Sequence, residues 1–333
     1  MPTSSVSRVL ITGAGGFTGL ALARSLTACG YRVHGLVRSR NHLSVLEHAG
    51  VRPIVGDVRN PAVLREAIQG MDIVYHLAAV FRRAGVQASE YREVHVDATQ
   101  RLIEISAAAG VRRVVHCSTV GVHGSVSEEA PATENAPFRP GDIYQRTKLE
   151  GERMAIRTAE RTGVPLTVIR PGPIYGPGDR RLLKLIGGVA RGRFRILGDG
   201  SPRFQMVYID DLTEGFRLAA ESPVAAGRIY ILTGNEAPTI NELVGKIAEV
   251  AGVDPPSLRL PVWPFWLCGA ACEAVCIPFG IEPPIYRRRV NFFTSNRWFN
   301  TAKAQNEIGF AARVNLREGI SRTLESYRRL GWL

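Results

Sequence analysis

Tyr144 and Lys148 lie four positions apart in a segment with a helical pattern, so their side chains share one helix face. The ordinary pKa of a tyrosine hydroxyl is about 10, which is too high for a base at neutral pH. A neighbouring ammonium favours the phenolate and so lowers that pKa. The pair could therefore exchange a proton with a substrate hydroxyl or carbonyl. Because Tyr-x-x-x-Lys pairs are common by chance in helices, the meaning of this one depends on the surrounding fold.

A hydroxyl pair, Ser118-Thr119, follows the apolar run that ends at Cys117. A hydroxyl at this point could bind the substrate oxygen and hold it towards Tyr144, and either residue could serve. The alternative is a loop hydroxyl that only satisfies backbone groups.

The elements that would position these residues alternate between short β-branched runs and amphipathic stretches. Predicted strands are Val9–Thr12, Arg32–Val37, Pro53–Val55, Ile73–His76, Val114–Cys117 and Leu166–Arg170. Predicted helices include Thr18–Cys29, Ala62–Gln69, Ala88–Ala109 and Ile143–Thr162. This alternation predicts an α/β fold with a doubly wound parallel sheet.

A glycine turn, Gly13-Ala-Gly-Gly16-Phe17-Thr18-Gly19, joins the first strand to the first helix. The first glycine permits a tight turn, the second lets the backbone approach a pyrophosphate, and the third allows close helix–strand packing. The first helical turn, which contains Phe17 and Thr18, supplies N–H donors and the positive end of the helix dipole. The turn predicts a dinucleotide site, at which Tyr144 would exchange a proton while hydride moves to or from a nicotinamide.

The end of the second strand usually selects between the two nicotinamide cofactors. An acidic residue there would bind the ribose 2′-hydroxyl of NAD. This chain has Arg38-Ser39-Arg40 instead, and a guanidinium suits a 2′-phosphate. We therefore expect NADP(H), with NAD(H) as the alternative if these arginines are simply solvated.

Further cofactor contacts are expected after the third and fourth strands. Asp57, followed by Val58, could accept a hydrogen bond from the adenine amino group or could cap the next helix. Leu77, Ala78 and Ala79 leave room for the cofactor, and His76 fits a packed histidine better than a base. Lys148 could also hydrogen-bond the nicotinamide ribose.

The ordered set of motifs resembles the extended short-chain dehydrogenase/reductase superfamily, also called the NAD-dependent epimerase/dehydratase family. The matching motifs cover nearly the whole chain: the glycine turn, Gly56-Asp57, His76-Leu77-Ala78-Ala79, Ser118-Thr119 with His123-Gly124, Tyr144-x-x-x-Lys148 and Arg170-Pro171-Gly172 with Tyr175-Gly176-Pro177. The resemblance implies a Rossmann domain, an enzyme, cofactor contacts from Pro171 and Ile174, and Thr119 as the catalytic hydroxyl with Ser118 second. The family often has Asn where this chain has Val94-His95-Val96, and we expect catalysis to tolerate that exchange.

The C-terminal half is similar to the 3β-hydroxysteroid dehydrogenase and sterol-4α-carboxylate 3-dehydrogenase branch. The residues concerned are Gly176-Pro177-Gly178-Asp179, Gly198-Asp199-Gly200, Val207–Leu212 and Ile308-Gly309-Phe310. That branch oxidises a ring alcohol, or reduces a ring ketone, on a bulky apolar substrate. Nucleotide-sugar epimerases or dehydratases and dihydroflavonol-reductase-like enzymes share many of these motifs and are the alternatives.

Loop residues after Arg170 mark the predicted boundary between two domains. We assign 1–178 to the Rossmann domain, with 205–232 returning to it, and 179–204 and 233–333 to a smaller mixed substrate-binding lobe. Helical patterns at Ile209–Ala220 and Ile240–Val250 belong to this half of the chain.

The composition of the chain limits the classes of partner that the protein is expected to bind. The formal net charge is +12, which favours anionic partners, but no zinc-finger, RRM or KH signature is present, so nucleic acid is not expected. The spacing of Cys268, Cys272 and Cys276 places them on one helical face without a fourth ligand, so we expect buried thiols and no metal site. The polar N-terminus is not a signal peptide, which predicts a cytoplasmic protein.

An apolar segment at 262–281 carries one charge, Glu273, and is followed by Arg287-Arg288-Arg289. Pro264 and Pro278 limit any helix there to about a dozen residues, short of the ~20 that a membrane span needs. Two interpretations are equally open: the segment packs in the core, or it lines a pocket or faces lipid. A lipid-facing segment would give peripheral membrane contact. The remaining expected partner is a small apolar substrate, and a homodimer is compatible with the sequence.

Overall fold

The computed structural model describes residues 6–81, 86–276 and 287–333. Its strands are β1 Arg8–Thr12, β2 Arg32–Val37, β3 Arg52–Val55, β4 Ile73–His76, β5 Arg113–Cys117, β6 Leu166–Pro171, β7 Ile174–Tyr175, β8 Ile196–Leu197, β9 Val207–Tyr208, β10 Arg228–Leu232 and β11 Arg259–Leu260. Its α-helices are α1 Phe17–Ala28, α2 Leu43–His48, α3 Pro61–Ile68, α4 Ala88–Arg92, α5 Ala98–Ala108, α6 Ile143–Thr162, α7 Leu183–Ala190, α8 Ile209–Glu221, α9 Ile240–Ala251, α10 Val262–Cys276, α11 Arg287–Thr294, α12 Ala302–Ile308 and α13 Leu316–Arg329. Short 3₁₀ turns lie at Arg40–His42, Val120–His123 and Pro223–Ala225, and a π-helical turn at Glu93–Asp97.

A seven-stranded parallel sheet runs through the described residues in the order β3-β2-β1-β4-β5-β6-β10. Its central strands are apolar and buried along almost their whole length, as expected when helices cover both faces of a parallel sheet. The predicted doubly wound fold is confirmed. Each strand predicted in the first 170 residues is present, with its ends within one residue of the prediction.

Two apolar cores cover the two faces of the sheet. On one face, α1 and α8 pack together over β1, with Leu22 and Phe216 fully buried. On the other face, α3, α5 and α6 pack around Leu10 and Val114. The sheet is thereby held rigidly enough for its strand ends to position side chains.

The predicted helix Ala88–Ala109 is interrupted by the π-helical turn at Glu93–Asp97. The turn brings the His95 carbonyl against α6 at Gly151, where a Cβ atom would lie 2.0 Å from the carbonyl oxygen. Only glycine permits this approach. The π-helical turn therefore lies beside the helix that carries Tyr144 and Lys148. Such turns are frequent at functional sites.

The C-terminal half contributes to two regions. Strand β10 joins the sheet beside β6, and α8 packs on the sheet. A third apolar cluster joins α7, α9 and α13 with Tyr175 and Tyr208. This lobe lies beside the loop that follows β6.

Helix α10 is largely exposed, and the expectation of buried thiols along it is wrong. Cys268 is exposed, Cys272 and Cys276 are half-buried, and Gly269 is the buried residue of the helix. The helix starts at Val262 and has 15 residues, so Pro264 lies in its first turn, where proline is tolerated. Residues 277–281 of the predicted apolar segment lie outside the described residues. None of the described helices is both long enough and apolar enough to cross a bilayer.

Candidate active site

The candidate residues collect at the carboxyl edge of the sheet. Because its strands are parallel, the residues that follow them meet at this edge. They are Gly13 after β1, Arg38 after β2, Asp57 after β3, Leu77 after β4, Ser118 and Thr119 after β5, and Pro171 at the end of β6. The strand order changes direction between β1 and β4, which is where doubly wound sheets bind dinucleotides.

The glycine turn forms a cradle that side chains would fill. Gly13 has a positive φ of 72°, and a Cβ there would lie 2.9 Å from the Ala78 nitrogen. A Cβ at Gly19 would lie 2.2 Å from the Gly13 carbonyl oxygen. Gly16 caps α1 without a side-chain hydrogen bond, so the first-turn N–H groups of Phe17 and Thr18 face the crevice. This arrangement fits the diphosphate of a nicotinamide dinucleotide.

Arg38 and Asp57 lie on the side of the crevice where the adenosine end is expected. About half of the Arg38 side chain is exposed, and its Nη1 lies 3.8 Å from Glu90. Asp57 accepts hydrogen bonds from Arg59, which outweigh burial and hold the pKa of this carboxyl below its ordinary value. The alternative that Asp57 caps α3 is wrong, since Asn60 caps it by accepting from the Ala62 N–H. Val58 is buried next to this pair.

The loop after β4 is fixed to β1 by a buried polar network. The Thr12 hydroxyl oxygen accepts from the Ala78 N–H at 3.2 Å and lies 2.8 Å from Nδ1 of His76. Nε2 of His76 lies 2.9 Å from the Thr99 hydroxyl. His76 is therefore a packed histidine, and burial lowers its pKa to about 3. Leu77 and Ala78 are half-buried, and Ala79 is exposed.

Lys148 is buried beneath the crevice, with 3% of its surface exposed. Its ammonium donates a 2.6 Å hydrogen bond to the Cys117 carbonyl at the end of β5. Burial lowers the pKa of Lys148, although the Cys117 and Glu152 side chains oppose the shift. The ammonium is therefore held in one position by the backbone of the central strand.

Tyr144 is half-buried between two aromatic side chains. Its ring meets Phe81 edge-to-face at 5.1 Å between centroids and meets His95 in the same way at 5.7 Å. Nearly half of Phe81 is exposed. The tyrosine ring thus stands at the mouth of the site beside an apolar surface.

The two candidate hydroxyls have different surroundings. Ser118 is buried, and its hydroxyl donates a 2.5 Å hydrogen bond to Glu152, which forms a buried ion pair with Arg170. Thr119 is half-buried, and its Oγ1 accepts from the Gly121 N–H at 3.0 Å. Among the described residues the Thr119 hydroxyl has no acceptor for its own proton, so it could donate to a substrate oxygen.

Pro171 and Ile174 frame the crevice on the β6 side. Pro171 ends β6 and pairs in register with Leu232 of β10. Ile174 is half-buried in β7, which pairs with β9.

His95 is a site residue that sequence reasoning missed. Its Nε2 accepts from the Val80 N–H at 3.0 Å, and its Nδ1 lies 2.9 Å from the Thr147 hydroxyl on α6. The Val80 bond requires an unprotonated Nε2, so Nδ1 carries the proton and donates it to Thr147. Burial, with help from the nearby Lys148 charge, lowers the His95 pKa to about 2. The signal for this residue is its departure from the Asn that the family often has here, and our expectation that catalysis tolerates the exchange stays a prediction.

Comparisons with known proteins agree with this geometry. The sequence model of the NAD dependent epimerase/dehydratase family matches residues 9–232. The chain is 30% identical to the 2-alkyl-3-oxoalkanoate reductase of Stenotrophomonas maltophilia, covering 95% of this chain and 98% of that one. It is also 30% identical to the 3beta-hydroxysteroid-dehydrogenase/decarboxylase isoform 1 of Arabidopsis thaliana, covering 84% of this chain and 67% of that one. Among solved structures, MoeE5 in complex with UDP-glucose and NAD is 29% identical with a TM-score of 0.76, covering 97% of this chain and 99% of that one.

Proposed function

Since the chain belongs to the NAD dependent epimerase/dehydratase family of extended short-chain dehydrogenases/reductases, we propose that it moves a hydride between a nicotinamide and a hydroxyl or ketone on a bulky apolar substrate. Family membership confirms the resemblance inferred from the motifs and makes the chain an NAD(P)-dependent enzyme. The substrate class and the residue roles below are our proposal.

The observation that carries the proposal is the edge-to-face contact between Tyr144 and the exposed Phe81. A substrate whose oxygen reaches the Tyr144 hydroxyl would also contact this exposed ring, which favours an apolar body over a sugar. The named relatives support the same class, since one acts on 3-oxoalkanoates and the other on a 3β-hydroxysteroid.

In the proposed mechanism Tyr144 is the general acid or base. Its hydroxyl gives a proton to the carbonyl oxygen during reduction, or takes one from the alcohol during oxidation. The bound nicotinamide supplies or accepts the hydride. The buried Lys148 ammonium favours the phenolate form of Tyr144, and the Thr119 hydroxyl donates to the substrate oxygen and orients it.

We propose NADP(H) as the preferred cofactor and NAD(H) as the alternative. Arg38 is exposed at the end of β2, and neither Arg38 nor the following Ser39 and Arg40 is a carboxylate that would select the 2′-hydroxyl of NAD. The Glu90 carboxylate near Arg38 could orient the guanidinium towards a 2′-phosphate.

The test is an absorbance screen at 340 nm with NADH and NADPH against 3-oxo acids, steroids, quinone-like ketones, aldehydes and UDP-sugars. We expect net cofactor consumption with an apolar ketone or formation with the matching alcohol. Turnover of a UDP-sugar without net cofactor consumption, in protein purified with bound NAD, would instead establish the second candidate, a nucleotide-sugar epimerase or dehydratase. The relationship to MoeE5, solved with UDP-glucose and NAD, favours keeping that candidate.

We further propose that α10 is a peripheral contact with an anionic membrane surface. Trp263 is 67% exposed and Val275 63%, and Trp266 and Leu267 on the same helix are also exposed. Such apolar exposure is typical of a surface that is covered in use. Strand β8 beside it follows an exposed basic stretch with Arg191, Arg193 and Arg195. Apolar side chains next to arginines match acyl chains below anionic headgroups.

Vesicle co-sedimentation tests this contact. The full chain should pellet with vesicles that contain phosphatidylglycerol and less with pure phosphatidylcholine, and a Trp263→Ser/Trp266→Ser variant should lose most of the binding. Val224→Ser, at an exposed apolar residue elsewhere, is the matched control. A concentration-dependent dimer that is abolished by the tryptophan changes, without vesicle binding, would assign α10 to a homodimer interface and overturn the membrane proposal.

A further inference from the structure

The guanidinium of Arg181 spans the crevice between the glycine turn and the loop that precedes α4. Its central carbon lies 4.8 Å from the ring centroid of Phe17 and 6.0 Å from that of Phe81. Phe17 begins α1 directly after the glycine turn, and Phe81 contacts Tyr144. The cation therefore lies between the expected diphosphate position and the expected reacting centre.

Hydrogen bonds within the folded chain fix the position of the Arg181 side chain. Its Nε donates a 2.6 Å hydrogen bond to Asp179, and its Nη2 donates to the Ile174 carbonyl at 3.2 Å. Asp179 is fully buried, and its own carbonyl accepts from the Tyr327 hydroxyl of α13. The arginine is thus oriented before anything binds, which reduces the entropy lost on binding.

The remaining donors of the guanidinium are not used within the described part of the chain, since no acceptor there bonds to Nη1. About a third of the side chain is exposed. It borders a cavity of 1100 Å³ that also reaches Gly16 and Phe17 but is not lined by Phe81, Thr119, Tyr144 or Lys148. An oxygen anion in this cavity would meet the exposed side of the guanidinium near the first turn of α1.

Asp179 borders the same cavity and is paired with Arg181, whereas the other carboxylates there have other partners. Asp211 accepts from the backbone N–H groups of Arg313 and Val314, and Glu214 is paired with Arg217. Asp210 lies 3.9 Å from Arg322. Arg181 is therefore not needed to neutralise them.

We propose that Arg181, which lies between Phe17 and Phe81, is an anion-binding residue at the border of the proposed active site and takes an oxygen of a phosphate or carboxylate group. Planar guanidinium donors suit both groups. Two molecules could supply the anion: the cofactor through its diphosphate, or a substrate that carries a carboxylate. The second source rests on the proposed function, and the first does not.

The experiment measures equilibrium binding, so it does not depend on knowing the substrate. Wild type, Arg181→Gln and Arg180→Gln are compared by calorimetry with inorganic pyrophosphate and by NADPH fluorescence. A second arm measures decanoate and decanol on the protein saturated with NADP⁺. Arg180 is the matched control because it neighbours Arg181 in sequence and borders the same cavity, but its guanidinium lies over Trp332 at 4.6 Å.

A loss of about tenfold or more in affinity for pyrophosphate and NADPH in Arg181→Gln alone would identify the cofactor diphosphate. A similar loss for decanoate but not for decanol, with NADPH binding unchanged, would identify a substrate carboxylate. Affinities within twofold of wild type in both arms, or equal losses in Arg180→Gln, would overturn the proposal. Should no ketone be turned over while these affinities change, the assignment of Arg181 stands and the proposed function fails.

The Arg181→Lys variant distinguishes a loss of anion binding from a folding defect in Arg181→Gln. It keeps the charge but loses the planar fork, so we expect affinities between those of wild type and Arg181→Gln. Circular dichroism and the midpoint of thermal unfolding establish that each variant is folded.

Discussion

The Ser118 hydroxyl donates a hydrogen bond to Oε2 of Glu152, and both residues are almost fully buried. Glu152 also accepts from Nε of Arg170 at 3.0 Å, so Ser118 belongs to a buried charged cluster. The adjacent Thr119 is half-buried at the mouth of the site. The two neighbouring hydroxyls therefore have different surroundings, from which we expect different roles.

Removal of the Thr119 hydroxyl should affect turnover, and removal of the Ser118 hydroxyl should affect stability. Thr119→Val should lower kcat about 100-fold, the usual effect of losing one donor to a reacting oxygen, and Thr119→Ser should recover most of it. Ser118→Ala removes one of the two hydrogen bonds to a buried carboxylate oxygen of Glu152 and should cost about 1–3 kcal/mol in the free energy of unfolding. Steady-state kinetics and urea unfolding measure the two effects, and the reverse pattern would transfer the catalytic role to Ser118.

Tyr144→Phe should lower kcat/KM by about 10²–10⁴, the range that proton transfer contributes. NADPH binding should stay within a few-fold, because the ring still packs between Phe81 and His95. Tyr31→Phe is the control, since Tyr31 lies at the amino end of β2 and bonds to Glu221. Stopped-flow hydride transfer with the substrate identified by the screen measures the loss. A rate near that of wild type would refute the role of Tyr144.

His95→Ala should raise the KM for the cofactor and lower kcat together. The change removes hydrogen bonds to both Val80, beside the cofactor loop, and Thr147, on the helix that carries Tyr144. His95→Asn has a shorter side chain that can make one of the two bonds, so it should recover part of the activity. Kinetics over a pH series provide the test. A lower unfolding temperature with unchanged kcat and KM would assign His95 to stability alone.

The buried histidines should make the fold sensitive to acid. The pKa values of His76 and His95 lie at about 3 and about 2 in the folded chain, and burial also lowers that of His116. The unfolded chain protonates near pH 6.5, so it binds more protons than the folded one below that pH. Each such histidine should therefore remove about 1.4 kcal/mol of stability per pH unit as the pH falls from 6.5 towards the folded pKa.

Replacing one buried histidine separates its contribution to the pH dependence of stability from that of the other groups. Neither ring nitrogen of His116 has a hydrogen-bond partner among the described residues, so His116→Leu should flatten the dependence of the free energy of unfolding on pH. His48→Gln, at an exposed histidine, should leave the dependence unchanged. Urea titrations between pH 4.5 and 7 measure the slope, and an identical slope in His116→Leu would contradict the explanation.

Arg38→Ala should weaken NADPH binding about tenfold or more and leave NADH binding nearly unchanged, because only NADPH carries the 2′-phosphate. Arg65→Ala, on the outer part of α3, is the control. Fluorescence titration of both cofactors gives the ratio. Equal effects on the two cofactors would remove Arg38 from cofactor selection.

Features that depend on neighbouring residues could be predicted from local sequence patterns. The glycine turn, the alternation of strands and helices, and the i, i+4 spacing of Tyr144 and Lys148 are local patterns, and together they predicted the fold and the edge where the site lies. Strand ends were accurate to one residue because buried parallel strands are continuous apolar runs.

Features that depend on residues distant in the chain became visible only in the folded structure. Ser118 differs from Thr119 only because Glu152 and Arg170 meet at the end of β5. His95 becomes a site residue only where α6 passes beside the π-turn, and Arg181 only where its loop crosses between Phe17 and Phe81. The exposure of α10 could not be predicted from the sequence either. Its apolar side chains indicate that contact with water is unfavourable, but only the packing of the folded chain determines whether other residues cover them.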